Sequence, residues 1–220
     1  MAHGKSQRSG SRARSCLCAG VAAVLSLLLL LPAAMAEKPF ACSIPYLQNP
    51  AADAMTVCFA AQNAKSVTVA MSSPDSASEK KIEAKGTAAP GAPWTIWKAR
   101  LSGLASGTNH SYKVTCIHPG GKWQSPPYAF RTLDPKTRSV RFAVFNDLHD
   151  RDATLKALMR FVKPEDYEFS ILLGDCWADP SAASGAKKVF ETLNAFLPLL
   201  DAANKPFYLI RGNHEVRGSF

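Results

Sequence analysis

Close to its carboxyl end the chain sets an amide, an imidazole and a carboxylate side by side, Asn213-His214-Glu215. They follow a glycine that stops an apolar run, Phe207-Tyr208-Leu209-Ile210-Arg211-Gly212. Two earlier stretches have the same form. Val140-Arg141-Phe142-Ala143-Val144-Phe145 leads into Asn146-Asp147-Leu148-His149, and Phe169-Ser170-Ile171-Leu172-Leu173 leads into Gly174-Asp175. Oxygen and imidazole donors of this mixture suit manganese, iron or zinc better than calcium or magnesium. Parallel strands of open α/β folds release polar groups at their carboxyl edge, where such folds keep their sites. The three endings therefore read as one metal-binding site delivered in pieces.

In that order, Asp147-x-His149, Gly174-Asp175 and Gly212-Asn213-His214-Glu215 resemble the first three motifs of the calcineurin-like metallophosphoesterase superfamily. A Gly-Asp pair or an Asp-x-His alone is common. Gly-Asn-His-Glu is much rarer, and all three at strand ends carry the resemblance. It implies a hydrolase of phosphate mono- or diesters that uses two divalent or trivalent metal ions ~3.5–4 Å apart to activate a water to hydroxide. Residue by residue, it implies that Asp147 and His149 bind one metal, Asp175 bridges both, and Asn213 binds the other through its amide oxygen. His214 is then the catalytic group, giving a hydrogen bond or proton to the departing oxygen. Glu215 falls to orienting the loop. Arg211 is left between a phosphate contact and a strand-end ion pair.

Two departures bear on the resemblance. Purple acid phosphatases have Tyr three positions after the bridging Asp, where this chain has Ala178, and Gly where His149 stands. A coloured tyrosinate–iron centre is therefore not expected. The superfamily's remaining ligands are histidines of later motifs, and His3, His110 and His118 lie in the leader or the first domain. The sequence is accordingly expected to be an amino-terminal fragment, inactive alone, with sheet and helix faces left uncovered.

The elements that must hold these residues follow from periodicity. Strands at 140–145, 168–173 and 207–211 alternate with two helical stretches. The first, Ala153 to Lys163, has Leu155, Leu158, Met159 and Val162 at i, i+3, i+4, i+7, with Asp152 as cap and Pro164 as stop. The second runs from about Ala186 to Ala203 with Val189, Leu193, Phe196, Leu197 and Leu200 as its stripe and Pro198 as a kink or break. This β-α-β-α-β order means a parallel sheet with right-handed crossovers. Trp177, in the loop after Asp175, is either packing or cleft wall.

Residues 38–134 read as all-β, with short strands at 55–60, 66–71, 95–101, 110–117 and 128–132 between turn-rich intervals. Leu101-Ser102-Gly103-Leu104 through Gly107-Thr108 to Tyr112 resembles a fibronectin type III corner, which sets a tyrosine hydroxyl back onto the backbone. Tyr112 is thereby structural, and Phe59 stands where that family often has a core Trp. Pro45 to Pro50 and Phe130-Arg131-Thr132 resemble the ends of the first domain of purple acid phosphatase-like proteins. The fold class expected is multidomain: an all-β sandwich, fibronectin III/Ig-like, then an incomplete α/β metallophosphoesterase domain at 140–220. A polar, proline-bearing linker at 135–139 separates them.

Residues 1–36 hold Lys5, Arg8, Arg12 and Arg14, no acid, an apolar run from Ala19 to Leu31 and an Ala-Met-Ala end. That is the form of a secretory signal cleaved after Ala36, and the run is shorter than the ~20 residues a membrane span needs. An exported protein, periplasmic or extracellular and free of the membrane after cleavage, is expected. Losing four basic residues takes the net charge from +9 to +5, compatible with a phosphate-ester substrate and too diffuse to argue for nucleic acid. Cys42, Cys58, Cys116 and Cys176 remain, with no pairing favoured and Cys176 read as a buried thiol. A rival reading is a non-catalytic exported scaffold that binds through the sandwich, which the intact motif set argues against.

Overall fold

Strand-forming residues with no charge on either alternating face, such as Ala54-Met55-Thr56-Val57-Cys58-Phe59-Ala60-Ala61, belong to a strand covered on both sides. The structure, a computed structural model, describes residues 40–73, 79–180 and 185–217, without the side chains of 185 and 186. In it this segment forms β2 (Ala54–Gln62), buried at every position but the last. It pairs antiparallel with β1 (Tyr46–Gln48) and β6 (Trp94–Ser102), and β6 pairs with β5 (Lys85–Ala88). The facing sheet runs β4 (Lys80–Glu83), β3 (Ser66–Ser72), β7 (Asn109–His118). The far edge of β7 is shared by β8 (Gly121–Gln124) and β9 (Tyr128–Arg131). Ser125-Pro126-Pro127 divides those two, because proline cannot donate to the ladder. Two antiparallel sheets in this order form an Ig-like sandwich.

The sandwich core contains Leu47, Met55, Val57, Phe59, Val69, Leu101, Tyr112 and Val114. Phe59 is buried and stacks on Trp123 with ring centres 5.0 Å apart. Strands β1, β4, β5 and β8 went unanticipated, being three or four residues long and, in the last three, largely exposed or charged.

Beyond the sandwich, β10 (Phe142–Phe145), β11 (Phe169–Leu173) and β12 (Phe207–Ile210) form a parallel sheet in chain order. Helices α1 (Asp152–Leu158) and α2 (Gly185–Leu199) connect them. Helix α1 is shorter than its apolar pattern. Leu155 is buried but Leu158 is 41% exposed, and the chain beyond passes through turns into a 3-10 turn that begins at Pro164. Asp152 is the first helical residue, favourable to the helix dipole, and the cap position is Arg151 without a side-chain bond. Pro198 sits one residue from the end of α2 and so marks its termination; Asp201 follows with φ +51°.

One face of the parallel sheet presents Ala143, Phe145, Leu172 and Phe207 to Leu155, Phe196, Leu197 and Leu200, each buried leucine or phenylalanine contributing about 1.5–3 kcal/mol. On the other face Phe142, Val144, Leu173, Tyr208 and Ile210 stay exposed, the uncovered surface expected from three βα units.

Tyr46 and Cys58 from the sandwich belong to this same α/β core, and Trp94 of β6 stacks on Phe190 of α2 at 5.0 Å. Leu47 N donates to Ala202 O at 2.9 Å, and Gln48 Nε2 to Phe207 O at 2.8 Å. The tyrosine corner departs from expectation. Tyr112 Oη donates not to nearby upstream backbone but to Ala203 O, at 2.6 Å, across to the segment before β12. Burial first, then the negative potential of Tyr128 and Asp201, raises its hydroxyl well above the usual range, so it remains a donor. The leader at 1–36 lies outside the described residues, among which no helix is long and apolar enough to cross a membrane. All four described cysteines are free.

Tyr112→Phe removes the donor and leaves the Ala203 carbonyl buried without it. Urea unfolding should show a loss of about 1–3 kcal/mol. An unchanged midpoint would mean that this bond does not tie the two parts together.

Candidate metal centre

Parallel pairing sets Phe145 beside Leu172 and Leu172 beside Leu209, so the three strands stop at one edge. The segments that leave them continue to pair. Asp147 N donates to Gly174 O at 3.2 Å, His149 N to Asp175 O at 2.9 Å and Asp150 N to Cys176 O at 2.8 Å. Such close running turns require left-handed backbone, found at Asp147 (φ +53°), His149 (+47°), Asp150 (+60°) and Asp175 (+50°). Each costs on the order of 1–2 kcal/mol relative to ordinary backbone, least for aspartate. Glycine is needed where the turns touch. A Cβ on Gly174 would lie 2.8 Å from Gly212 Cα, and one on Gly212 would lie 2.3 Å from Asp175 Oδ1.

Glu215 offsets that strain. Its carboxylate is 5% exposed and accepts four main-chain N–H bonds. Oε2 takes those of Asp175 (2.9 Å) and Gly212 (2.8 Å), while Oε1 takes those of Cys176 (2.7 Å) and Trp177 (3.3 Å). The turn after β11 is thus bolted to the turn after β12. His214 N adds a bond to Asp175 Oδ1 at 2.9 Å.

The five residues singled out by type come together. Ligand-capable atoms of His149, Asp175 and His214 all lie within 4.8 Å of one another. Asp147 Oδ1 is 3.7 Å from His149 Nε2, and the Asn213 amide reaches Asp175. The Asn213 NH2 donates to the Asp175 oxygens at 2.8 and 3.3 Å, and its oxygen accepts from Arg217 Nη2 at 2.7 Å. With two imidazoles and two carboxylates beside it, the donor set fits a transition-metal ion.

His214 enters this cluster in geometry although its expected role is not that of a ligand. Its Nδ1 is bonded to Ala178 O, and its ring meets that of His149 edge-on with centres 4.6 Å apart. Trp177 proves to be packing: it is buried, and its Nε1 donates to Val189 O of α2 at 3.2 Å. Arg211 is exposed and has no ion pair among the described residues. Burial, reinforced by Glu215, Asp175 and Asp150, pushes the Cys176 thiol up to about 12, which keeps it protonated and excludes it as a nucleophile at neutral pH. A cleft of about 660 Å³ lined by Arg131, Arg138, Phe169 and Lys205 opens at the amino ends of the strands, away from every motif residue.

Sequence reasoning passed over Asp150, whose carboxylate accepts from Ala178 N at 2.9 Å and from Thr192 Oγ1 of α2. It also passed over Arg217, next to Asn213. The only signal available was a second acid directly after Asp-x-His, since its partners lie 28 and 42 residues away.

Behind the Ig-like sandwich, then, stands an α/β fold whose parallel strand ends bring metal-capable side chains to one edge. The model of the calcineurin-like phosphoesterase family matches residues 140–220. Among solved structures, the purple acid phosphatase isolated from yellow lupin (Lupinus luteus) seeds superposes with TM-score 0.62 at 20% identity over 82% of this chain. The chain spans 37% of that protein's length. A structure described as a myokine (TM-score 0.35, 17% identity) covers 44% of this chain and 99% of its own. The fn3 domain of the human collagen alpha-1(XX) chain (TM-score 0.34, 16% identity) covers 47% of this chain and 93% of its own. No curated protein sequence matches the chain.

Glu215→Gln replaces two acceptor sites with a donor facing two N–H groups. It should cost about 1–3 kcal/mol in urea unfolding. Gly212→Ala should do at least as much through its contact with Asp175. Wild-type stability in both variants would remove the clamp from the account.

Proposed function

We propose that the chain carries the site of a metal-dependent phosphoesterase that cleaves phosphate mono- or diesters. The observation that supports this most directly is the convergence of Asp147, His149, Asp175, Asn213 and His214 from three strand ends into one cluster. The family match and the purple acid phosphatase fold support the same reading. Export is the accompanying proposal, resting on the leader's sequence.

Asp147, His149, Asp175 and Asn213 would hold the metal ions, manganese, iron or zinc by donor type. When bound, such ions supply charge neutralisation on the phosphoryl oxygens and acidify a water. The chain's own groups do the remaining work. Asp175 offers two oxygens from a turn that its main-chain partners hold still. Glu215 fixes that turn against the one bearing Asn213 and His214. His214, tied through Nδ1 to the Ala178 carbonyl, has Nε2 free, and in the doubly protonated ring that is the atom from which a proton can pass to the departing oxygen. Cys176 keeps its proton and takes no part.

The 220-residue chain should bind Mn²⁺ or Zn²⁺ in calorimetry, and Asp175→Asn should weaken that by at least about tenfold. Vanadate, a phosphate mimic, should bind the metal-loaded wild type and not the variant. Equal metal affinity in the two proteins would overturn the proposal.

A further inference from the structure

Ala178 lies three positions beyond Asp175 and offers no side chain, yet its main chain is the partner of His214. What holds Ala178 is therefore what aims the imidazole. From the geometry we infer that Asp150 is a positioning residue, which sets His214 by holding Ala178.

Asp150 leaves the end of β10 in left-handed conformation and is tied on three sides. Its N–H donates to Cys176 O at 2.8 Å, its Oδ2 accepts from Ala178 N at 2.9 Å, and its Oδ1 accepts from Thr192 Oγ1. Thr192 is 4% exposed on α2, so the far end of the chain of bonds is anchored in the core. The near end is the Ala178 carbonyl, which accepts from His214 Nδ1. A carbonyl can only accept, so the proton of a neutral ring resides on Nδ1 and the lone pair on Nε2. A competitor stands close. Arg217 Nη1 is 3.3 Å from the same Nδ1, and being a donor it would favour the opposite tautomer, with Nδ1 bare and Nε2 protonated. Asp150 decides between the two by keeping the Ala178 carbonyl in place. That this matters for leaving-group protonation rests on the phosphoesterase reading; the tautomer itself does not.

The readout is the two-bond proton–nitrogen correlation spectrum of histidine rings in the 15N-labelled, 220-residue chain. It is recorded without metal or substrate at about pH 8.5, where imidazole is ordinarily neutral. His214→Gln identifies the resonance. The wild type should show His214 as the Nδ1–H tautomer. Asp150→Ala removes both acceptor oxygens, and should raise the ratio of Nε2–H to Nδ1–H by about tenfold, the effect of one ordinary hydrogen bond. Thr192→Val, at the anchored end, should move the ratio in the same direction, and Thr192→Ser should restore it. These two variants carry the test if Asp150→Ala does not fold. An Nε2–H tautomer in the wild type, or Nδ1–H retained in folded Asp150→Ala or in Thr192→Val, overturns the inference. Because no metal is present, this failure is distinct from a failure of Asp175→Asn to weaken metal binding, which would strike the phosphoesterase reading alone.

Discussion

A carboxylate with 5% exposure is costly to bury unless its oxygens are fully used, and Glu215 uses both oxygens twice, on N–H groups from two different turns. Those N–H groups belong to turns whose carbonyls point elsewhere, so each partner alone would be poorly satisfied. Together they close a circuit that tolerates the left-handed residues at 147, 149, 150 and 175. It also makes the contact of Gly174 with Gly212 tight enough to exclude any Cβ. The cluster of Asp, His and Asn side chains is a consequence of that closure. Remove the clamp, and the turn after β12 loses the carboxylate bonds that hold it against the turn after β11.

The sandwich contributes at one remove. Its β1–β2–β6–β5 sheet has two working faces, one toward the sandwich core and one toward α2 and β12. Trp94 on Phe190 and Tyr46 near Phe207 seat the second helix and the third parallel strand. The Tyr112 hydroxyl fastens the segment that enters β12. That bond leaves the sandwich's own backbone and ends on the neighbouring α/β part. The described residues from 40 to 217 accordingly pack as one compact unit.

Much of this was legible in the chain. Chemistry resides in residue type, so Asp147, His149, Asp175, Asn213 and His214 announce themselves, and apolar runs ending in glycine place them at one edge of a parallel sheet. The sandwich was legible from its turn spacing. Strands such as β4 and β5 were not, because an exposed edge strand is stabilised by its neighbour's backbone and needs no apolar pattern of its own. Nor was the early end of α1, where Leu158 fits the helical stripe yet points to solvent.

By itself the sequence determined which groups exist, the period of the elements that carry them and their order along the chain, because these depend on local propensity and side-chain chemistry. Only the tertiary structure decided that the Tyr112 hydroxyl crosses to Ala203, that Trp177 packs on α2, and that Asp150 serves Ala178 and Thr192. Each of those outcomes depends on a hydrogen bond between residues 12 to 91 positions apart. Such a partner is chosen by packing geometry, and nothing in the local sequence encodes it.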